Sequence, residues 1–138
     1  MMYKKNFNIQ FVDTDASQRI HYSSIFRYLE ILDHEFFASI GYSYPRLFEE
    51  GFEMPRVHLD CMYLGSVEYA DELEGQIAVA KIGNSSFTYT FEFLKAGQPV
   101  VKGTMTIVFI TSKVGKKISI PEALKSELKK HLVLQTQE

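Results

Sequence analysis

Apolar residues recur along the chain with two periods, and the switch between them separates a helical segment from a β-rich remainder. Phe7, Ile9 and Phe11 alternate with polar neighbours over residues 6–12, the period-two pattern of a half-buried strand. The turn-forming run DTDASQ then breaks it. From about Ser24 to Ile40 the period is helical: Ile25, Tyr28, Leu29, Leu32, Phe36 and Ile40 share one stripe, with Arg27, Glu30 and His34 opposite. Phe26, Ile31 and Phe37 lie off the stripe and widen the apolar face. Such a helix is expected to be wrapped by other elements. Ser23 or Ser24 can cap its start, and Gly41 suits its end. A short second helix is expected over Tyr44–Glu50.

From Met54 onward the period falls to two. Val57, Leu59, Cys61 and Tyr63 alternate with Arg56, His58, Asp60 and Met62. Further strands are expected over Leu73–Ile82, Phe87–Phe93 and Val100–Thr111, with hairpin turns at Gly83-Asn84 and Gly97-Gln98. The closing SIPEALKSELKKHL reads as a helix with Ser119 and Glu122 as a capping box and Leu124, Leu128 and Leu132 on one face. Tight turns between consecutive strands make them antiparallel, because parallel pairs need crossovers. The expected fold class is α+β, one antiparallel sheet curled around the broad-faced helix.

Bulk properties narrow the class of protein. A chain of 138 residues fits one domain, residues 1–138, and 46% hydrophobic content supplies a core. Net charge is −2 and the pI about 6.1, so nothing points to nucleic acid or an anionic membrane as partner. A single cysteine, Cys61, excludes an internal disulfide and fits a reducing compartment. No apolar run approaches the roughly 18–20 residues of a membrane span, and the N-terminus lacks a signal-peptide pattern. A soluble, cytoplasmic protein is expected.

Candidate chemistry is sparse. The chain has no GxSxG, no phosphate-cradling Gly-rich loop, no HExxH and no CxxC. His58 and Cys61 are three apart on a predicted strand and project to opposite faces, so they form no local dyad and Cys61 reads as core. His34 and His131 read as solvated, and His58 as exposed or at a subunit contact. What remains is FVDTDASQRIHY, residues 11–22. A carboxylate at a strand end, just before a helix start, can act as general base or nucleophile. The helix start supplies unpaired N–H groups for an oxyanion. Equally, Asp13 and Asp15 suit turn and capping positions. A phosphatase-type DxDx[T/V] reading needs alternating strand–helix units that the downstream hairpins lack, and two aspartates alone are a weak signal for Mg²⁺.

A resemblance sharpens this. DTDASQRIHYSSIFRYLEILDHEFFASIG resembles the opening motif of the hotdog-fold acyl-CoA thioesterases, the group containing 4-hydroxybenzoyl-CoA thioesterase. YLGSVEYADEL, GNSSFTYTFEF and VVKGTMTIVFITSKVGKKISIP resemble later segments of that family in the same order, covering roughly residues 5–128. The resemblance implies a hotdog fold, a sheet wrapped around a central helix, and hydrolysis of an acyl thioester with no cofactor, coenzyme A entering with the substrate. It implies Asp15 as the catalytic carboxylate, the backbone N–H of Tyr22 as the group that polarises the carbonyl, and Asp13 as support. His21, Ser23, Ser24 and Ser86 are the accompanying substrate-binding candidates, and Lys113, Lys116 and Lys117 either meet coenzyme A phosphates or form a solvated turn. A homodimer or homotetramer with sites at the subunit interface is implied, and the apolar Val100–Thr111 strand and the phenylalanine strand point the same way. The chain departs from the family pattern at Gln18 and Ala70, where glycine is usual, at Ser66, Ser24 and Ile25, and in carrying His-Tyr for Tyr-His at residues 21–22. Those at Gln18, Ser24 and Ile25 motivate an alternative, a non-catalytic protein that binds an acyl thioester or lipid-like ligand.

Overall fold

A computed structural model describes residues 2–133. The element order is β1 (Tyr3–Asn8), a 3-10 turn (Phe11–Asp13), α1 (Ile25–Ser39), α2 (Tyr44–Glu49), β2 (Phe52–Glu53), β3 (Arg56–Tyr63), β4 (Glu72–Ile82), β5 (Ser86–Lys95), β6 (Gln98–Val108), β7 (Ile110–Thr111) and α3 (Glu122–Lys130). Five strands form one antiparallel sheet in the order β1-β4-β5-β6-β3, and β2 pairs with β7. The antiparallel order excludes the parallel sheet that a phosphatase-type reading of DTD requires.

The sheet wraps α1 as the wide apolar face demands. Ile25, Tyr28, Leu29, Leu32, Phe36 and Phe37 are buried against Phe7, Leu73, Ile77, Phe91 and Phe93. Gly75 permits the close approach: a Cβ there would stand 3.0 Å from Leu32 and Phe7 atoms. Register shifts at Arg56/His58, Val79/Lys81 and Phe93/Leu94 bend the strands around the helix. β5 alternates as expected, with Phe87, Tyr89, Phe91 and Phe93 all buried.

Several expectations are corrected. β1 ends at Asn8 rather than running to residue 12, and Phe11 and Val12 are exposed on the 3-10 turn. Only β4-β5-β6 is a meander, since β3 crosses to the far edge beside β6. The β5–β6 turn is Ala96-Gly97, both at positive φ (50° and 78°), one residue earlier than expected. Ser119 and Glu122 form no capping box: Pro121 is the cap residue of α3, and the Ser119 hydroxyl lies 3.3 Å from Asn84 Oδ1. α3 stops at Lys130, so Leu132 leaves the helix face and bridges to Val79. His131 is buried at 6% exposure, edge-on to Phe36, not solvated.

The apolar residues of β5 and β6 serve the chain's own core, so they are no argument for self-association. β3 is different. Its burial in the single chain is almost nil, and Val57, Leu59, Met62 and Tyr63 are all exposed along an edge that pairs only with β6 among the described residues. Its period-two pattern is a strand pattern whose apolar face is left uncovered by the other described residues.

Candidate active site

The DTD segment forms a small hairpin hung between β1 and α1. Thr14 bridges Ile20, the Asp15 N–H donates to the Arg19 carbonyl (3.0 Å), and the Gln18 N–H donates to the Asp15 carbonyl (2.9 Å). Ala16-Ser17-Gln18 is therefore a three-residue loop, and its last position takes the left-handed conformation, φ 66° at Gln18. Glycine is the residue this geometry favours. Ala70, at φ 69°, is a second non-glycine in that region. Both departures from the family pattern keep the backbone shape that glycine makes easy.

The two aspartates divide the work. Asp15 is fully exposed, and its Oδ1 accepts from the Ser17 hydroxyl (2.5 Å) and N–H (2.8 Å). The Ser17 hydroxyl first, and then its N–H, hold the Asp15 carboxyl below the usual carboxylate range, with the nearby His21 adding a smaller pull. Asp15 is ionised at neutral pH, and no donor among the described residues occupies its Oδ2. Asp13 is 4% exposed. It accepts from Arg27 Nε (3.1 Å) and Nη2 (2.5 Å) and from the Tyr28 hydroxyl. Burial pushes its carboxyl up, but the Arg27 and Tyr28 hydrogen bonds and the Arg27 charge outweigh that and hold it low. Asp15 is the available carboxylate, and Asp13 is committed.

The entry to α1 follows directly. The Ser24 N–H donates to the His21 carbonyl (2.9 Å), and the Phe26 and Arg27 N–H groups donate to Ser23 and Ser24 carbonyls, a tight opening turn. Neither serine side chain caps the helix. Instead the Ser23 N–H donates to His21 Nδ1 (3.2 Å), with the Ser23 hydroxyl 2.7 Å from the same nitrogen. Ser24 makes no capping hydrogen bond. The Tyr22 N–H meets no acceptor among the described residues, while the Tyr22 carbonyl accepts from the Tyr63 hydroxyl. Burial pushes that hydroxyl up to about 12, so it remains a donor. Tyr22 itself is 70% exposed, its ring stacked on His21 at 4.3 Å.

Asp15, His21, Tyr22, Ser23 and Ser24 are thus gathered in one loop with Asp13 beneath. Ser86 is not: it opens β5 opposite Val108, at the end of the sheet where Arg56 pairs with Ile107, whereas Tyr63 marks the Asp15 end. Lys113, Lys116 and Lys117 are exposed on the turn after β7 at that same far end, and His34 and His58 are exposed. The largest feature missed in the sequence is Asp33, 2% exposed, which accepts from the Tyr89 hydroxyl (2.6 Å), Arg56 Nη2 (2.7 Å) and the Tyr44 hydroxyl. Cavities of about 350 and 360 Å³ flank this hub and share His34 and Arg56 as a wall. No cluster of three or more His, Cys, Asp or Glu able to hold a metal occurs among the described residues, and no helix among them is long and apolar enough to cross a membrane.

Comparison with known proteins places these features in context. The family described as the thioesterase-like superfamily matches residues 9–128. An Aquifex aeolicus protein, provisionally designated an esterase, is 30% identical over 121 residues, covering 88% of this chain and 93% of that one. The solved 1,4-dihydroxy-2-naphthoyl-CoA thioesterase of Synechocystis superposes with a TM-score of 0.86 at 16% identity, over 94% of this chain and 96% of that one. A Staphylococcus aureus protein solved in complex with CoA superposes with a TM-score of 0.90 at 11% identity, over 100% of this chain and 90% of that one.

Proposed function

The chain belongs to the thioesterase-like superfamily and is a thioester hydrolase with the hotdog fold, and we propose that it hydrolyses an acyl-CoA at the Asp15 loop. One observation carries the reading. An ionised, exposed carboxylate with a free oxygen stands in the same short loop as a helix-opening N–H, that of Tyr22, which has no protein acceptor among the described residues. The substrate carbonyl oxygen accepts from the Tyr22 N–H, and the partial positive charge of the α1 start adds to that pull. Asp15 then either takes a proton from water, whose oxygen adds to the carbonyl carbon, or adds to that carbon itself. In either route the C–S bond breaks, the thiolate leaves and is protonated, and water supplies the acid oxygen. The acyl group has the cavities beside α1 and Arg56 to enter.

We further propose that the working form is a homodimer paired β3 to β3. The exposed apolar edge of β3 is the kind of surface that a second copy covers. Antiparallel pairing would bring each Tyr63 end, with its Asp15 loop, toward the partner's Arg56 end. The cavities, Ser86 and the lysine turn of one chain would then adjoin the Asp15 of the other.

The test is thiol release across a panel of acyl-CoAs, aryl and straight-chain, with Asp15→Asn and Asp15→Ala. Loss of most turnover in folded, still dimeric variants is expected. Full activity in folded Asp15→Ala, or acyl-CoA binding by the wild type without turnover, would overturn the reading.

A further inference from the structure

Beneath the Asp15 loop lies a three-residue clamp. Arg27 meets Asp13 through two nitrogens, and the Tyr28 hydroxyl, itself accepting the Gln10 N–H (3.1 Å), donates to the same carboxylate. The Arg27 guanidinium lies over the Tyr28 ring, 4.7 Å from its centre, so the two groups that bond Asp13 also contact each other. Asp13 is tied through its backbone too: its N–H donates to the Gln10 carbonyl (3.0 Å), and its carbonyl accepts the His21 N–H (2.8 Å). One buried residue therefore joins both halves of the site. Asp13 is two positions before Asp15, and its carbonyl holds the residue immediately before Tyr22.

Asp13 is buried but the Arg27 side chain is 46% exposed, and an ion pair with one partner in water is a poor way to gain stability. What it supplies is direction. A bidentate guanidinium–carboxylate pair fixes angle as well as distance, which an ammonium does not. We propose, resting on the thioesterase reading above, that Arg27 with Tyr28 is a positioning unit acting through Asp13. It sets the Asp15 carboxylate and the Tyr22 N–H relative to each other and touches no substrate.

Misplacing reacting groups by an ångström costs up to about 100-fold in rate. Arg27→Gln and Asp13→Asn should therefore lower kcat by about 10- to 100-fold with KM for the same acyl-CoA within about twofold. Arg27→Lys should fall between them and the wild type. The double variant should be little worse than either single, because both break one unit. Millimolar guanidinium should restore part of kcat in Arg27→Ala but not in Asp13→Asn. A second readout is independent of turnover: amide exchange at His21 and Asp15 should quicken at least tenfold in Arg27→Gln, with β5 amides unchanged. Wild-type kcat in folded variants, or a loss of kcat that follows only the folded fraction, would overturn the clamp, as would unchanged exchange at His21. If the wild type turns over no thioester, the activity reading falls and the exchange arm alone decides the clamp.

Discussion

Asp33 offers the severest test of how this core is held together. It sits on the apolar face of α1 and ties α1 to α2 through Tyr44, to β3 through Arg56 and to β5 through Tyr89. In Asp33→Ala the Tyr89 hydroxyl loses its acceptor inside a residue with no exposure, and an orphaned buried hydroxyl costs about 1–3 kcal/mol. That hydroxyl cannot escape by ionising, because burial, the largest cause of its raised pKa and one that does not depend on Asp33, pushes it far above the usual tyrosine range. Arg56, whose side chain is 29% exposed, and the half-buried Tyr44 can turn to water, so each adds only about 0–1 kcal/mol. The sum is about 1–5 kcal/mol, overlapping the range for breaking one side of a buried pair. For a chain of this length that lowers Tm by about 3–20 °C. With no Trp in the chain, far-UV circular dichroism in urea is the assay, at fixed protein concentration. Adding Tyr89→Phe to Asp33→Ala should recover about 1 kcal/mol by removing the orphan. A cost below about 1 kcal/mol for Asp33→Ala, or no recovery in the double variant, would refute the assignment of a network to these groups.

The remaining expectations concern the edge strand, the strained turns and pH. Gly103→Ala would place a Cβ 2.0 Å from the Asp60 carbonyl oxygen and 2.6 Å from Phe91 Cζ. Because backbone cannot rotate aside, it should cost about 3 kcal/mol or more and loosen β3, read as a lower urea midpoint and, for the proposed β3-paired dimer, as dissociation in sedimentation at micromolar concentration. Gln18→Gly and Ala70→Gly should each stabilise by about 0.5 kcal/mol, relief of left-handed strain (~1–2) less glycine's chain entropy (~0.5–1), measured by urea midpoint. Asp13 has a lowered pKa when folded, so its contribution is present above the ordinary carboxylate value, about 3.9, and is lost as pH falls through the depressed one. Asp13→Asn should therefore be less stable than wild type at neutral pH by about 1–2 kcal/mol, with the gap closing below about pH 4. For activity, kcat/KM should stay level near neutrality and fall only below about pH 4, and Ser17→Ala should move that fall to higher pH by removing the main group that favours the Asp15 carboxylate.

Periodicity carried the elements well where a residue's burial is decided by its own chain. The α1 stripe, the β5 phenylalanines and the two leucines of α3 are buried as their spacing requires. It failed where a tertiary partner decides. Asp33 lies on the stripe, between Leu29 and Phe36, and a carboxylate there is a signal of a buried acceptor; but its donors stand 11, 23 and 56 residues away, and no spacing marks them. β3 has the right period yet stays exposed, because no other element among the described residues covers it. Phe11 continued the alternation on paper but turns outward, since the main chain must bend to bury Asp13 instead.

The departures at the site have the same lesson in reverse. Gln18 and Ala70 looked like losses because glycine is missing, yet both hold the positive φ that makes glycine the easy choice. Ile25, where a tyrosine is usual, is 1% exposed and packs in the core. Ser24 leaves the helix start uncapped, and His21 Nδ1 receives the Ser23 N–H in its place. The substitutions therefore change how much strain and which side chain hold the loop, while the Asp15 carboxylate keeps an oxygen free and the Tyr22 N–H keeps no protein acceptor among the described residues. A loop held at the expense of strain is the mark of a functional site whose shape matters, and the gain in stability expected from Gln18→Gly and Ala70→Gly is the measurable form of that argument.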